Sequence, residues 1–130
     1  MPVVTFNVPA TLVSEDKGRQ LTRGACEVFA QVLEAPVERI RAFINVYPEW
    51  TASAGFEAGG APFYQFYVLA DRTPQQVAAL HQSFTQLLVD VLACERSVIR
   101  GTCLRIDPSD WGIAGKPASE IRKAELDARR

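Results

Sequence analysis

The sequence has few of the residues that build metal and redox centres. It contains one histidine and three cysteines, Cys26, Cys94 and Cys103, and it has no CxxC motif. Because the cysteines are odd in number and lie within apolar patterns, we expect reduced, buried thiols in a cytoplasmic protein. No metal site is expected, since zinc centres need clustered cysteine and histidine ligands.

Long apolar runs and an excess of basic charge are also missing. Fourteen Lys and Arg residues stand against fifteen Asp and Glu residues, for a net charge of −1, which argues against a nucleic-acid surface. No stretch approaches the length of a membrane span, and the amino terminus lacks the pattern of a signal peptide. We therefore expect neither a nucleic-acid partner nor a membrane partner.

What the chain does contain is the same unit twice. Four residues of the first half recur in the second half at a spacing of fifty-nine or sixty: Pro2 with Pro62, Phe6 with Phe66, Val8 with Val68 and Arg41 with Arg100. A half-length repeat indicates duplication and fusion of a small subunit. With 130 residues, 48% of them apolar, we predict a single domain over residues 1–130 with two β-α-β repeats, at about 2–60 and 61–124.

The first copy begins with a strand in which Val4, Phe6 and Val8 alternate with their neighbours, a pattern that predicts one buried face. Ser14 is expected to cap a helix that ends at the Ala35-Pro36 pair. A second strand follows at residues 40–47, and residues 51–60 are predicted to form a loop or hairpin.

The second copy has clearer boundaries. Thr73, Pro74 and Gln76 have the spacing of a capping box with proline at the first helical position. A strand at residues 98–106 and a glycine-containing turn at 111–115 follow. The charged tail from Pro117 is expected to end in a short, solvated helix.

The repeat predicts an α/β fold, more closely an α+β two-layer sandwich. The two strands of each unit should be parallel, and the two units together give a four-stranded mixed sheet with both helices on one face. The opposite face would carry Phe43, Tyr47 and Tyr64 or their neighbours. Because such a face is too apolar for water, we expect other subunits to cover it.

The second copy resembles, over its whole length and without a gap, the short subunit typical of the tautomerase superfamily, whose type member is 4-oxalocrotonate tautomerase. That family's proline, two arginines and active-site aromatic residue correspond here to Pro62, Arg72, Arg100 and Trp111. Residues 111–115 and 118–122 resemble its closing hairpin and tail, and residues 35–41 and 56–60 of the first copy also match. The resemblance therefore covers residues 2 to about 124, as in fused, double-length members of the superfamily.

This resemblance implies a tautomerase fold, like that of macrophage migration inhibitory factor (MIF), and a cofactor-independent isomerase for a small 2-keto or 2-hydroxy-enol carboxylic acid. The catalytic group would be the secondary amine of Pro2, exposed when the initiator methionine is removed. Nearby arginines would lower the pKa of that amine by disfavouring its protonated form. The amine could then move the proton of a keto–enol shift, while Arg72 and Arg100 bind the carboxylate and the enol oxygen.

The two copies would supply complementary parts of one composite site per chain. The nitrogen of Pro62 lies in an amide and cannot act as a base, and the first copy has Leu12 or Val13 where an equivalent of Arg72 would stand. Trp111 would shape the pocket. Arg41, the equivalent of Arg100, is a candidate for substrate binding, although a structural role is favoured.

Each of these residues also has a plainer interpretation. Arg72 could be a surface side chain paired with Asp71, and Arg100 could form a salt bridge between subunits. Trp111 could simply anchor its hairpin. His81 is expected to be solvated on the polar side of its helix.

Departures from the family pattern bear on the reaction. Relatives that hydrate halogenated acrylates use an acidic residue where this chain has Ile113, and their fused variety uses a histidine at about the position of Phe29. Relatives that decarboxylate malonate semialdehyde use an aspartate, for which Glu38 is a loose substitute, and an extra arginine where this chain has Ala70. A decarboxylase or hydratase of this superfamily stays an alternative, as does a non-catalytic trimeric binding module.

The resemblance also implies an assembly. Short subunits of the family form hexamers as trimers of dimers, and a fused pair would replace each dimer. We therefore expect a homotrimer whose other partner is a small carboxylate substrate.

Overall fold

The computed structural model describes residues 2–130, so that the predicted removal of Met1 lies outside the described residues. The main elements are, in chain order, β1 (Val3–Pro9), α1 (Glu15–Leu33), β2 (Arg41–Tyr47), β3 (Ser53–Ala54), β4 (Glu57–Ala58), β5 (Phe63–Leu69), α2 (Pro74–Leu92), β6 (Arg100–Ile106), β7 (Gly112–Ile113), β8 (Lys116–Pro117), α3 (Ala118–Ile121) and α4 (Lys123–Ala128). Strands β3 and β4 form one small hairpin, and β7 and β8 form another.

The predicted fold class is confirmed. The sheet has the order β2-β1-β5-β6, in which each repeat contributes a parallel pair and the central strands β1 and β5 are antiparallel. Helices α1 and α2 pack against each other and bury their apolar sides on one face of the sheet. None of the helices in residues 2–130 has both the length and the apolar character needed to cross a bilayer.

The two repeats agree in their local details. The amide of Arg41 donates to the Pro2 carbonyl at 3.1 Å, and the amide of Arg100 donates to the Pro62 carbonyl at 3.3 Å. The predicted caps are also present, because Ser14 Oγ accepts from the amide of Lys17 and a complete capping box begins α2 at Thr73. These caps supply partners for amides that the helices leave unpaired at their amino ends.

The core is aromatic at its centre. Phe29 and Phe84, one from each helix, meet edge to face with ring centroids 5.0 Å apart, and Phe6 and Phe66 approach them from β1 and β5. All four side chains are fully buried. Phe29, at about the position of the catalytic histidine of some relatives, is therefore a core residue here.

Two predictions about the second repeat were wrong. Tyr64 lies on the helix-covered face, because it alternates in phase with the buried Phe66 and Val68, and its side chain is buried. His81 is not solvated: its Nδ1 lies 2.7 Å from the Tyr64 hydroxyl, and burial lowers its pKa. The open face does carry Phe43, which is 54% exposed.

The short helix predicted at the end of the tail is present as α4 and is mostly exposed, but the tail is also anchored by apolar contacts that were not predicted. Ala118 and Leu126 are buried, and they form a second apolar cluster with Leu69 that Trp111 and Ile113 flank. This cluster fixes α3 and α4 against the end of β5. The tail is thereby placed beside the amino-terminal end of β1.

Candidate active site

A cavity of about 300 Å³ lies at the amino-terminal end of β1, where Pro2 is buried. Because β1 and β5 are antiparallel, Val3 pairs with Tyr67, and the start of β1 lies beside the end of β5. Leu69 and Arg72 line the cavity from that end of the second repeat, and Leu33 lines it from the end of α1. The antiparallel pairing of β1 with β5 therefore brings residues of both repeats to Pro2.

Arg72 lies in this cavity, and among the described residues it forms no salt bridge with Asp71, the alternative considered for it. Its side chain is half-buried, and its Nη1 donates to the Leu33 carbonyl at 3.3 Å. This contact satisfies a carbonyl in the last turn of α1. Burial, followed by the positive charge of Arg129, lowers the pKa of Arg72, although Asp71 and Glu125 oppose the shift.

Four arginines line the cavity, and two of them are held by carboxylates. Both carboxylate oxygens of Glu125 accept from Arg39 Nη1, at 2.8 and 2.9 Å. Arg129 donates to Asp71 at 2.6 and 3.2 Å. These two ion pairs join α4 to the first repeat and to the second repeat, respectively.

The other two arginines have no such partner. In the part of the chain that the structure describes, no carboxylate forms a salt bridge with Arg72 or Arg122. Gln76, in the first turn of α2, also lines the cavity, so the positive end of that helix dipole adds to the same potential. The cavity is therefore suited to an anion.

Arg41 and Trp111 lie together in an adjoining groove. Val3, Arg41, Trp111 and Ile113 line this groove, and it shares Arg39 and Arg122 with the Pro2 cavity. Arg41 Nη1 donates to the carbonyls of Glu38 and Ile40 at 2.9 and 3.0 Å. Trp111 is half-buried against the Leu69–Ala118–Leu126 cluster.

Arg100 does not lie at the Pro2 cavity of its own chain. It pairs with Phe63 at the opposite end of β5 from Leu69, and it lines a hollow beside Pro62. Its Nη1 donates to the carbonyls of Ser97 and Ile99 at 2.7 and 3.1 Å, as Arg41 does in the first repeat. Within one chain, the structure therefore brings Pro2 and Arg72 together and leaves Arg100 apart.

Sequence reasoning missed three arginines and one glutamate of the cavity: Arg39, Arg122, Arg129 and Glu125. A partial signal existed, because residues 122, 125 and 129 have the i, i+3, i+7 spacing of one helix face. Arg39 has no comparable local signal, since its partner Glu125 lies 86 residues away in the chain.

None of the three cysteines lines the Pro2 cavity or the groove that contains Arg41 and Trp111. Each packs at the edge of the main core as a free thiol, and burial raises its pKa. A raised pKa keeps a thiol protonated and weakly nucleophilic.

Known proteins similar to this chain are tautomerases of half its length. A probable tautomerase of Ralstonia nicotianae is 31% identical over 68 residues, which are 52% of this chain and 97% of the relative. The 2-hydroxymuconate tautomerases of Pseudomonas putida and Comamonas testosteroni are each 32% identical over 60 residues, 46% of this chain and 95% of the relative. No family model matches the chain.

Solved structures share the whole fold. A fused 4-oxalocrotonate tautomerase, solved as a symmetric trimer, matches with a TM-score of 0.85 at 21% identity, over 92% of this chain and 98% of that one. The native fused enzyme matches with a TM-score of 0.86 at 20% identity over the same shares. Macrophage migration inhibitory factor of Toxoplasma gondii matches with a TM-score of 0.76 at 12% identity, over 88% of this chain and 98% of that one.

The sequence matches extend over nearly the full length of each relative, and the structural matches extend over both repeats. The chain therefore belongs to the tautomerase superfamily, as a fused, double-length member.

Proposed function

We propose that this protein is a cofactor-independent keto–enol tautomerase for a small 2-keto or 2-hydroxy-enol carboxylic acid. The observation that carries the proposal is that Pro2 lines the same 300 Å³ cavity as Arg72 and Arg122, two arginines that form no salt bridge within the described residues. A cavity of that volume suits a small ligand, and guanidinium groups match carboxylates through paired hydrogen bonds. Two of the similar proteins are called 2-hydroxymuconate tautomerases, and activity on that compound would agree with this chemistry.

The reaction needs one group that both accepts and donates a proton. After removal of Met1, the amine of Pro2 takes the proton from the enol hydroxyl, and the oxygen becomes a carbonyl as electron density moves along the conjugated chain. The ammonium then returns the proton to a carbon atom, so the product is an isomer of the substrate. Arg72 binds the carboxylate and stabilises the negative charge that develops on oxygen.

The charge of the cavity also bears on the basicity that the proposal requires of the Pro2 amine. Protonated Pro2 would share a half-enclosed space with several guanidinium groups, and repulsion between like charges disfavours that form. We expect the pKa of the Pro2 amine to lie below that of an unperturbed proline. The value of kcat/KM should then rise with pH through an ionisation near neutrality.

Arg100 can serve a Pro2 site only in an assembly, because it lies at the opposite end of the sheet in its own chain. Self-association as a homotrimer is therefore part of this proposal, and trimeric fused relatives support it. Arg41 and Trp111 line the groove that adjoins the Pro2 cavity. In that groove, both residues would contact the end of the substrate that lies farthest from Pro2.

The test is the ketonisation of phenylenolpyruvate and 2-hydroxymuconate by Pro2→Ala. We expect kcat/KM to fall by about a hundredfold or more, the scale of a general acid–base contribution. Pro62→Ala is the matched control, because it removes the equivalent proline of the second repeat, whose nitrogen is an amide. Full activity in Pro2→Ala would overturn the proposal.

Two further measurements separate the alternatives. An intact mass that includes Met1 would leave no free proline amine and would favour the non-catalytic binding module. Carbon dioxide release from malonate semialdehyde that depends on Pro2 would favour the decarboxylase.

A further inference from the structure

Arg105, near the end of β6, is hydrogen-bonded to the loop that carries Arg72. Its Nη1 donates to the carbonyl of Ala70 at 3.3 Å and to the carbonyl of Arg72. A main-chain bond from the Ala70 amide to the Ile106 carbonyl, at 2.8 Å, joins the same loop to β6. The Arg105 contacts extend this attachment by two residues, to Arg72 itself.

Arg105 contacts this loop and not the cavity. Its side chain is exposed and lies outside both the Pro2 cavity and the adjoining groove. Burial lowers the pKa of Arg72, and the charges that act on that pKa belong to other residues, which are Arg129, Asp71 and Glu125. What Arg105 can affect is therefore the main chain from which the Arg72 side chain enters the cavity.

In the first repeat, valine stands where this arginine would be. Arg105 pairs with Val68 in β5, and the matching residue of the first repeat is Val46, which pairs with Val8 in β1. The side chain of Val46 is 53% exposed and has no hydrogen-bond donor. The first repeat also lacks an arginine equivalent to Arg72. The loop-holding arginine is therefore present in the repeat whose loop supplies an arginine to the cavity.

The Arg72 guanidinium has little other support. Its Nη1 donates to the Leu33 carbonyl at 3.3 Å, and among the described residues no carboxylate forms a salt bridge with it. An arginine side chain has many rotamers, so a fixed place for its guanidinium requires a fixed main chain. A guanidinium that is already in place binds a carboxylate more tightly, because less freedom is lost on binding.

We propose that Arg105 is a positioning residue of the site. By holding the carbonyls of Ala70 and Arg72, it keeps the Arg72 guanidinium in place to bind the carboxylate of the ligand. This inference rests on the proposed function for the identity of the group that Arg72 binds. Its test measures binding without turnover, and it can therefore fail or succeed independently of catalysis.

The probe is sorbate, a conjugated six-carbon acid with one carboxylate and without the hydroxyl group that the keto–enol shift needs. Arg105→Val installs the residue of the first repeat. We expect this variant to bind sorbate about tenfold more weakly in titration calorimetry, within the range that misplacement of a binding group causes. Arg105→Lys should recover most of the affinity, because a single nitrogen atom donates both hydrogen bonds and an ammonium group can replace it.

A double-mutant cycle separates positioning from a direct effect on the ligand. In Arg72→Ala there is no guanidinium to position, so the addition of Arg105→Val should change the sorbate affinity by less than about twofold. Lys123→Ala is the control for charge, because its side chain is 74% exposed and it follows Arg122 of the cavity wall. It should bind sorbate as the wild-type protein does.

Circular dichroism, melting temperatures and light scattering establish that each variant keeps the fold and the mass of the wild-type protein. An unchanged affinity in Arg105→Val, or an equal loss with and without Arg72, would overturn the inference. The same holds for a wild-type protein that does not bind sorbate, for a loss in Lys123→Ala and for no recovery in Arg105→Lys.

Pro2→Ala separates this inference from the proposed function. If Pro2→Ala keeps full turnover while the cycle gives the expected result, the proposed chemistry fails and the role of Arg105 stands. If Pro2→Ala loses turnover while Arg105→Val binds sorbate as the wild-type protein does, the chemistry stands and the inference fails.

Discussion

Equivalent residues of the two repeats have the same backbone contacts and different surroundings. Pro2 and Pro62 each precede a central strand, and each carbonyl accepts a hydrogen bond from the arginine that begins the neighbouring strand. Arg72, Arg122 and the end of α1 surround Pro2, whereas Pro62 lies beside Arg100 and the β3–β4 hairpin. At the scale of residues, function therefore depends on which side chains enclose a proline.

Gly101 shows how closely one residue can depend on another. A Cβ atom at this position would lie 2.0 Å from Tyr64 Cζ. The Tyr64 ring cannot move aside easily, because its hydroxyl is hydrogen-bonded to His81 Nδ1 and its face stacks on Phe66. We expect Gly101→Ala to lower the free energy of unfolding by about 1–3 kcal/mol, the usual cost of overpacking.

Urea unfolding at one fixed protein concentration measures this effect. Gly112→Ala is the control, since a Cβ atom there would meet no other atom within 4 Å and its φ is not positive. Equal loss of stability in the two variants would show that the effect comes from strand glycines in general and not from the Tyr64 ring.

At the scale of elements, α3 and α4 distinguish the two ends of the sheet. The first repeat continues directly from β4 into β5, so no helix corresponds to this tail. The tail closes one side of the Pro2 cavity through Arg122, Glu125 and Arg129. A small apolar cluster and two ion pairs hold it in place.

The pair of Asp71 and Arg129 makes this attachment sensitive to acid. Burial raises the pKa of Asp71, but the hydrogen bond and charge of Arg129 outweigh it, and the pKa lies below its ordinary value. A depressed carboxyl pKa stabilises the folded state above the unfolded pKa of about 3.9, and this contribution is lost as the pH falls further.

Asp71→Asn should therefore reduce stability at pH 7, and its effect should shrink as the pH falls below about 3.9. The side chains of the pair are 29% and 28% exposed, so we expect a loss of no more than about 1 kcal/mol. Thermal unfolding of both proteins across this pH range measures the difference. Asp110→Asn is the control, because Asp110 is an exposed carboxylate outside the ion pairs described above. A stability difference for Asp71→Asn that does not narrow as the pH falls below about 3.9 would contradict the assignment.

At the scale of the whole molecule, one chain leaves apolar surface uncovered. Three aromatic side chains are more than half exposed. Phe43 lies on the open sheet face, Trp50 precedes the β3–β4 hairpin, and Phe56 lies in the turn of that hairpin. Within residues 2–130, strands β2 and β6 have no strand partner along their outer edges. Such surface and such edges are usually covered by association.

The proposed homotrimer should have a mass three times the 14.3 kDa of one chain. Light scattering at micromolar concentration measures that mass. Phe43→Glu should dissociate the trimer, because it places three buried charges at the interface, whereas Gln82→Glu on the exposed side of α2 should leave the mass unchanged. A monomeric mass for the wild-type protein would exclude the homotrimer. It would also exclude a role for Arg100 at Pro2, because the two residues lie apart within one chain.

Local patterns were sufficient for the elements of the fold. Two-residue alternation and the caps at Ser14 and Thr73 predicted the strands and the two long helices, because these features act between near neighbours. The duplicated spacing then predicted that the same unit occurs twice. The error at Tyr64 was avoidable, since its alternation with Phe66 already placed it on the buried face. The prediction for His81 considered its own helix face alone, whereas its partner, the Tyr64 hydroxyl, lies on a different element.

The sequence by itself predicted the repeat, the position of Pro2 before the first strand of the first copy and the position of Arg72 after the first strand of the second copy. Only the tertiary structure decided which cations meet at Pro2. Arg39 pairs with a residue 86 positions away and Arg129 with one 58 positions away, and contacts of such separation have no local pattern. They follow from the antiparallel pairing of the two repeats and from the packing of the tail against the end of β5, which together enclose the site.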